Sequence, residues 1–320
     1  MTAVQDAAVP GWPYRSLLFL PAHRIDWVRK VAKSMPDAVI LDLEDAVPDG
    51  RKAEARALIQ EAIEILVRDH IAPIVRINGI DAGGEADVAA VVRPGLAAVM
   101  LPKTHAPQDV RTLDGWISAA EQANGIASGA VRIIPLPETA HGMWFAYEIA
   151  SASKRVTGLI TAVSGPVSGD VSRAFGFEPT DDGREQLFLQ SRTILASRAA
   201  GANFPIGTIM GTGLRDLDAV ARLARRARQL GFSGAALIHP SHVAVANRVF
   251  RPSEEEVAYS AGLMAALADA RERGDGAVSY QGMMIDAAML PMARRVVEAD
   301  QRYRARDALL TSRGADLDAG

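Results

Sequence analysis

Eight times along this chain a short apolar run is followed by a longer amphipathic stretch. That alternation constrains the fold more than any other feature. The runs are SLLFLP (16–21), DAVILDLED (37–45), APIVRIN (72–78), AAVMLPK (97–103), VRIIPLP (131–137), VTGLITAVSG (156–165), NFPIGTIM (203–210) and GAALIHP (234–240). Between them lie helical patterns such as RKAEARALIQEAIEILVRD and REQLFLQSRTILASRAA. Strands buried on both faces read as near-continuous apolar sequence, and crossover helices between them imply a parallel sheet covered on the outside. Eight such units over about 240 residues predict a closed (β/α)8 TIM barrel rather than an open doubly wound sheet. No GxGxxG or GxxxxGK[ST] follows any strand, which removes the usual nucleotide-binding reason for an open sheet.

Beyond the eighth run the pattern changes, so residues 1–250 are read as the barrel and 251–320 as a C-terminal helical extension. Within the extension, PSEEEVAYSAGLMAALADARER predicts a helix with Ser253 as N-cap and Glu256 completing a capping box. GDGAVSYQG reads as a Gly-rich turn, and MMIDAAMLPMARRVVEADQRYRA (283–305) as a further helix. The first dozen residues and RGADLDAG (313–320) are expected to be poorly ordered.

Composition narrows the class of function. Of 320 residues, 49% are hydrophobic and 23% charged, and the net charge is -3, so neither nucleic acid nor an anionic membrane is favoured as a partner. The arginines of RLARRARQL fall at helical spacing and read as a wet helix face. With no cysteine in the chain, disulfides, thiolate zinc sites and cysteine nucleophiles are excluded. No apolar run reaches the ~18 residues of a membrane span, and the first residues lack a basic-then-apolar signal pattern. A cytoplasmic enzyme is the expectation.

In a barrel of this kind chemistry sits at the C-terminal ends of the strands. Strand two ends in Asp42, Glu44 and Asp45, strand three carries Arg76 and Asn78, and strand four ends in Lys103. Glu138 follows strand five, Asp170 lies in the loop after strand six, and His239 follows strand eight. Each has a bland reading. Glu44 or Asp45 is placed to cap the helix starting near Arg51, and a lone histidine such as His239 is more often structural. Arg76, with apolar neighbours on both sides, needs a carboxylate or another anion. Glu138 and Asp170 together, with no thiolate and no HExxH pattern, point to a hard cation: Mg²⁺, with Mn²⁺ as the alternative.

The segments YRSLLFLPAHR, DAVILDLEDAVP, VRIN, LPKT, PETAHG, IHPSH and QGMMIDAAMLPMARRVV resemble the citrate lyase beta-subunit-like group of the HpcH/HpaI aldolase superfamily, which includes malyl-CoA and citramalyl-CoA lyases. The resemblance runs from about residue 14 to 300. It implies that Glu138 and Asp170 hold Mg²⁺ and that Arg76 contacts the carboxylate of a keto acid. It places Lys103, Glu44 and Asp45 on the rim near the metal. It also implies that Asp286 is delivered by a neighbouring subunit as acid/base, and that Arg15 and His239 lie near the CoA and carboxylate ends. The shared site requires an oligomer, which the resemblance implies is a homotrimer or hexamer. Two departures bear on the pocket: VSGPVSGD is longer than the family's segment before the metal aspartate, and strand seven offers Gly207 where relatives carry an acid.

The activity so implied is Mg²⁺-dependent cleavage of a 3-hydroxyacyl-CoA, such as citramalyl-CoA or malyl-CoA, to a short acyl-CoA and pyruvate or glyoxylate. Its partners are a CoA thioester and a 2-oxo acid. The alternatives are thioester hydrolysis at the same site, a CoA-independent class II aldolase, and a partner subunit that has lost catalysis. A Schiff-base route through Lys103 would need a desolvated amine of depressed pKa, whereas a lysine beside a metal site is better read as an electrostatic partner.

Overall fold

The computed structural model describes residues 11–318 apart from 166 and 168. Two compact units divide between Phe250 and Arg251.

The first unit is a (β/α)8 barrel. Its strands are β1 (Ser16–Pro21), β2 (Ala38–Asp42), β3 (Ala72–Arg76), β4 (Ala98–Leu101), β5 (Arg132–Pro135), β6 (Ile160–Ser164), β7 (Ile206–Met210) and β8 (Gly234–Leu237). Each falls inside an apolar run of the sequence, usually trimmed by a few residues where the polar rim begins. The strands lie in the order β5-β4-β3-β2-β1-β8-β7-β6, and the two ends of the sheet meet through a parallel bridge between Ile133 and Val156. The connections carry helices, among them Lys52–Arg68, Pro107–Ala123, Leu187–Ala199 and Leu217–Leu230.

Alternation along each strand sorts the side chains. Leu17, Ala38, Ile40, Ile74, Ala98 and Met100 face inward into a buried cluster with Ile134, Ile160, Ile206 and Ala236. Trp12 packs on Tyr14 and Phe204, at ring-centroid distances of 4.5 and 6.2 Å, and floors the barrel at the N-terminal ends of the strands. Two residues further along, the same inward parity leads from Ile40 to Asp42 and from Ile74 to Arg76, while Glu138 follows β5 through a tight turn in which its amide donates to the Leu136 carbonyl at 3.0 Å. The core face thus becomes the functional face without any change of register, because side chains repeat every second residue along a strand.

In the second unit, helix Glu254–Glu272 begins as expected, with Ser253 and Glu256 forming the capping box. The next stretch differs from the sequence reading. Ala277–Tyr280 and Met283–Asp286 form an antiparallel hairpin, β9 and β10, turned at Gln281 and Gly282, both with positive φ. Adjacent positive-φ residues suit the right-handed twist of a two-residue hairpin loop, so GDGAVSYQG is half strand rather than a plain turn. Ile285 is the one buried residue of β10 and joins Leu263, Leu267 and Ala293 in a small core. The helix expected from residue 283 therefore starts only at Leu290, and it continues to Asp318, through most of the segment expected to be loose. Among the described residues no helix is long and apolar enough to cross a membrane.

Candidate active site

At the C-terminal end of the barrel lies a cavity of about 460 Å³ lined by Asp42, Asp45, Arg76, Glu138 and Asp170 among others. Glu138 and Asp170, from the fifth and sixth βα units, thus share one cavity even though a longer segment precedes Asp170.

Arg76 is fixed from several sides. Asp42 is its register partner on the neighbouring strand, so the two side chains emerge on the same face. Arg76 Nε and Nη2 donate to Asp42 Oδ1 and Oδ2 at 2.7 and 2.5 Å. Asp42 also accepts from the amides of Glu44 and Ala46, each at 3.0 Å, and so shapes the turn that follows β2. Nη1 lies 2.9 Å from Glu44 Oε2, and the guanidinium sits 5.1 Å above the Phe19 ring. Burial alone would lower the Arg76 pKa, but the Asp42 hydrogen bonds and the charges of Asp42, Glu44 and Asp45 outweigh it and raise it.

Lys103 ties three elements together. Its Nζ lies 2.7 Å from Glu44 Oε1 and 3.4 Å from Asp45 Oδ1, and its amide donates to Glu138 Oε1 at 2.9 Å. The backbone of Lys103 is left-handed, φ +48°, a conformation costly for a residue with a Cβ and often found where function over-determines geometry. Its hydrogen bond to Glu44 holds the ammonium pKa above the usual value. A Schiff-base lysine needs the opposite shift.

Glu138 is the electrostatic outlier. Burial raises its carboxyl pKa, the charge of Glu44 adds to the rise, and the Lys103 amide with the charges of Arg76 and Lys103 pulls the other way without cancelling it. Glu44 Oε2 is buried with no hydrogen bond: its 2.9 Å approach to Arg76 satisfies an ion pair by distance but not hydrogen-bond geometry. On this side of the cavity Asp42, Glu44, Asp45 and Glu138 outnumber Arg76 and Lys103, an excess of negative charge that favours a cation. Among the described residues no three Asp, Glu, His or Cys side chains cluster closely enough to hold a metal alone. A cation here would draw most of its ligands from solvent and substrate, which is the habit of Mg²⁺. The residues fit such an ion. Asp170, meanwhile, pairs with Arg173 one turn along its own helix, Asp170–Phe175.

Five expectations need correction or relocation. Arg15 does not reach the ligand end: it starts β1 at the barrel floor, is 1% exposed, and makes a two-point pair with Asp37 at 2.8 and 3.0 Å. Its role is structural. His239 does stand at the end of β8, but its Nδ1 accepts from the Ser241 amide and caps a short 3₁₀ turn, and it is not among the residues lining the cavity. Gly207 faces away from the cavity, since a Cβ there would meet Val163 Cγ2 at 2.9 Å and Ala227 Cβ at 3.5 Å. Thr208 and Met210 are the β7 residues on the cavity wall. Asp286 ends β10 in the second unit, exposed, with Oδ1 accepting from the Ala288 amide at 2.9 Å. Glu44 and Asp45 cap no helix: Pro48 stands at the N-cap of the 3₁₀ turn Asp49–Arg51, and no side chain caps the helix Lys52–Arg68.

Sequence reasoning undervalued Asp42 and missed Gln186. Parity along β2 was signal enough for Asp42. Gln186 is buried, lines the cavity, and brackets Ser164 by accepting from its amide at 3.1 Å and donating to its carbonyl at 3.1 Å. It lies on a 3₁₀ turn far from its partner in sequence, where no motif marks it.

Residues 15–240 match the family model described as HpcH/HpaI aldolase/citrate lyase. The citrate lyase subunit beta of Haemophilus influenzae is 32% identical over 89% of this chain and 96% of its own length. The L-malyl-CoA/beta-methylmalyl-CoA lyase of Cereibacter sphaeroides is also 32% identical, over 90% of this chain and 95% of its own. A crystal structure of the CitE protein of Mycobacterium tuberculosis in complex with magnesium, acetoacetate and coenzyme A superimposes with a TM-score of 0.69 at 27% identity, covering 92% of this chain and 99% of that one.

Proposed function

This chain belongs to the HpcH/HpaI aldolase/citrate lyase family, and from that premise we propose that it is a Mg²⁺-dependent carbon–carbon lyase of acyl-CoA thioesters. In the cleavage direction it splits a 3-hydroxyacyl-CoA into a shorter acyl-CoA and a 2-oxo acid. The observation that carries the reading is the shared cavity of Glu138, Asp170 and Arg76, with a local excess of carboxylate. Its support from outside the chain is the relatives' lyase activity and the magnesium, acetoacetate and coenzyme A bound by the CitE protein.

Glu138 and Asp170 would hold the ion, which when bound supplies Lewis-acid stabilisation of negative charge on the keto-acid oxygens. The remaining work falls to the chain. A guanidinium has five N–H donors. Asp42 and Glu44 orient that of Arg76 and leave donors to spare for the carboxylate of the 2-oxo acid. Because the pair is built before substrate arrives, little reorganisation is needed as charge develops. During cleavage the 3-hydroxyl gives its proton to water, the carbon–carbon bond breaks, and the electron pair passes to the α-carbon of the acyl thioester, which takes up a proton in turn, so that no net proton is gained or lost. Asp286, at the tip of a hairpin and exposed in a single chain, is assigned that proton transfer, acting in the site of a neighbouring copy within a trimer or hexamer.

Incubation with malyl-CoA or citramalyl-CoA tests the reading. Acyl-CoA and 2-oxo acid should appear in equal amounts, stop on chelation and resume on adding Mg²⁺. Release of free CoA without acyl-CoA would show a thioesterase, and turnover undiminished by exhaustive chelation would end the metal assignment.

A further inference from the structure

The last seam of the barrel, between β5 and β6, is laced only in its lower half. Odd-numbered residues of β5 turn their backbone groups toward β6: the Ile133 amide donates to the Arg155 carbonyl at 3.0 Å, and the Ile133 carbonyl accepts from the Thr157 amide at 3.1 Å. Even-numbered ones face β4, as where the Leu136 amide donates to the Leu101 carbonyl at 2.9 Å. The next two residues due to face β6 are Pro135 and Pro137, and proline has no N–H to donate. Among the described residues no backbone hydrogen bond joins the two sides above Ile133 and Thr157. The unlaced part lies at the rim, with Glu138 beyond one strand and Asp170 beyond the other.

The facing edge of β6 has partners of a different kind. Odd-numbered residues there pair with β7: the Leu159 carbonyl accepts from the Ile206 amide and the Gly165 amide donates to the Met210 carbonyl, each at 3.0 Å. Ala162 and Ser164 therefore turn their backbone groups into the gap. Gln186 Oε1 accepts from the Ser164 amide at 3.1 Å and the Ser164 hydroxyl at 3.2 Å, and its Nε2 donates to the Ser164 carbonyl at 3.1 Å. Gln190, one helical turn on, donates to the Ala162 carbonyl and to Gln186 Oε1, both at 3.2 Å, and accepts from Arg226 at 3.2 Å. Both glutamines are buried. A buried amide is costly unless its donors and acceptors are met, and here they are met by the groups a neighbouring strand would otherwise have bonded.

A neutral amide suits the place. Ser164 presents an N–H and a C=O together, which a carboxylate or an ammonium answers only in part. Resting on the lyase reading above, we infer that Gln186, backed by Gln190, is a positioning residue: from the β5 side it fixes the end of β6, and so the span between Glu138 and Asp170, across a seam that Pro135 and Pro137 leave without a ladder. Its effect on the reaction passes through the ion that those two carboxylates hold.

Ion selectivity tests the assignment. Mg²⁺ demands oxygens at about 2.0–2.1 Å in a near-octahedral set, whereas Ca²⁺ accepts about 2.3–2.6 Å and a looser geometry. A fixed span favours the smaller ion, and a released one loses that preference. Binding of Mg²⁺ and of Ca²⁺ to the full chain is measured by calorimetry for wild type and for Gln186→Met, which fills similar space without an amide. Mg²⁺ affinity should fall about tenfold, the lower end of what an outer-sphere partner contributes, with Ca²⁺ affinity nearly unchanged. In metal-free protein, hydrogen exchange at the Ser164 amide should speed up about tenfold, the worth of one hydrogen bond, while the Ile133 and Thr157 amides keep their protection. Gln190→Met removes the support and keeps the clamp; it should shift the same readings less, and it decides the question if Gln186→Met does not fold. A merely structural glutamine would lower the melting temperature and leave the ratio of Mg²⁺ to Ca²⁺ affinity where it was. That ratio unchanged in the folded variant, with wild type binding Mg²⁺, overturns the inference alone. Wild type that binds no Mg²⁺ overturns the lyase reading and the span with it.

Discussion

The two ends of the barrel use the same ingredients, arginine and carboxylate, to opposite purposes. At the floor and the closing seam the buried ion pairs are closely matched, with the Nε of Arg132 the exception, buried without a hydrogen bond. Arg15 and Asp37 are 1% and 0% exposed and bind through two side-chain contacts plus the Arg15 amide. Where the sheet closes, Arg155 gives Nε to Asp114 at 2.6 Å and two nitrogens to Glu121 at 2.7 and 2.8 Å, while Glu121 also accepts from the Gly129 and Val131 amides. At the rim the count is uneven: Glu44 keeps an unbonded buried oxygen and burial holds the Glu138 carboxyl pKa high. A matched buried network secures the fold, and an unmatched one waits for a ligand. The rim gives up stability to remain open to cation and substrate.

The largest effect expected from this contrast is at the floor. Arg15→Ala leaves Asp37 buried without its partner, and breaking such a pair costs about 3–5 kcal/mol. Denaturant unfolding should show that loss while kcat/KM of the folded enzyme stays unchanged. A large KM effect on CoA thioester instead would return Arg15 to the ligand site.

At the rim the effects invert. Glu138→Gln should reduce turnover by more than the roughly 10–100-fold seen on losing an outer-sphere partner of a metal, yet hold stability within about 1 kcal/mol. The sign follows from linkage. A carboxyl whose folded pKa is raised is penalised when ionised, so the native protein loses stability as pH rises past the ordinary carboxylate range. The neutral amide removes that penalty, and metal-free Glu138→Gln should melt at or above the wild-type temperature at neutral pH. A marked drop in melting temperature would mean that Glu138 is a structural group.

The seam predicts the opposite pH dependence. Burial alone would raise the Glu121 carboxyl, but the Arg155 bonds and the Val131 and Gly129 amides hold it below the usual 4.5. A depressed folded pKa gives stability that is full above the unfolded value and is lost as pH falls through the folded one. The stability gap between wild type and Glu121→Gln should therefore narrow as pH drops below about 4.5. A gap constant from pH 7 to pH 3 would contradict the coupling.

How much of this was legible in the sequence follows the same division. The barrel was readable because doubly buried strands leave unbroken apolar runs, and the rim acids because they interrupt those runs at their ends. Arg15 deceived because an arginine beside an apolar run looks the same at either end of a strand; only chain direction and the position of Asp37 distinguish floor from rim. The hairpin at 277–286 was hidden because four-residue strands with one buried side chain carry too little alternation to outweigh a helical pattern. Gln186 could not be read at all, since its partner Ser164 lies 22 residues away and only folding brings them together.

Lys103 offers the finest test, because there the backbone and side-chain contributions to the rim come apart. Its amide grips Glu138 from a left-handed conformation, while its ammonium balances Glu44. Lys103→Ala removes the charge and keeps a Cβ in a strained backbone; Lys103→Gly removes both charge and strain but preserves the amide. Glycine should therefore be the more stable of the two by about 1 kcal/mol, and should retain Mg²⁺ affinity close to wild type by calorimetry. Both variants should bind 2-oxo acid differently from wild type, since both leave Glu44 without its ammonium. If alanine proved as stable as glycine and bound Mg²⁺ equally well, the left-handed turn would have no part in aiming Glu138, and the rim would owe its geometry to the side-chain pairs alone.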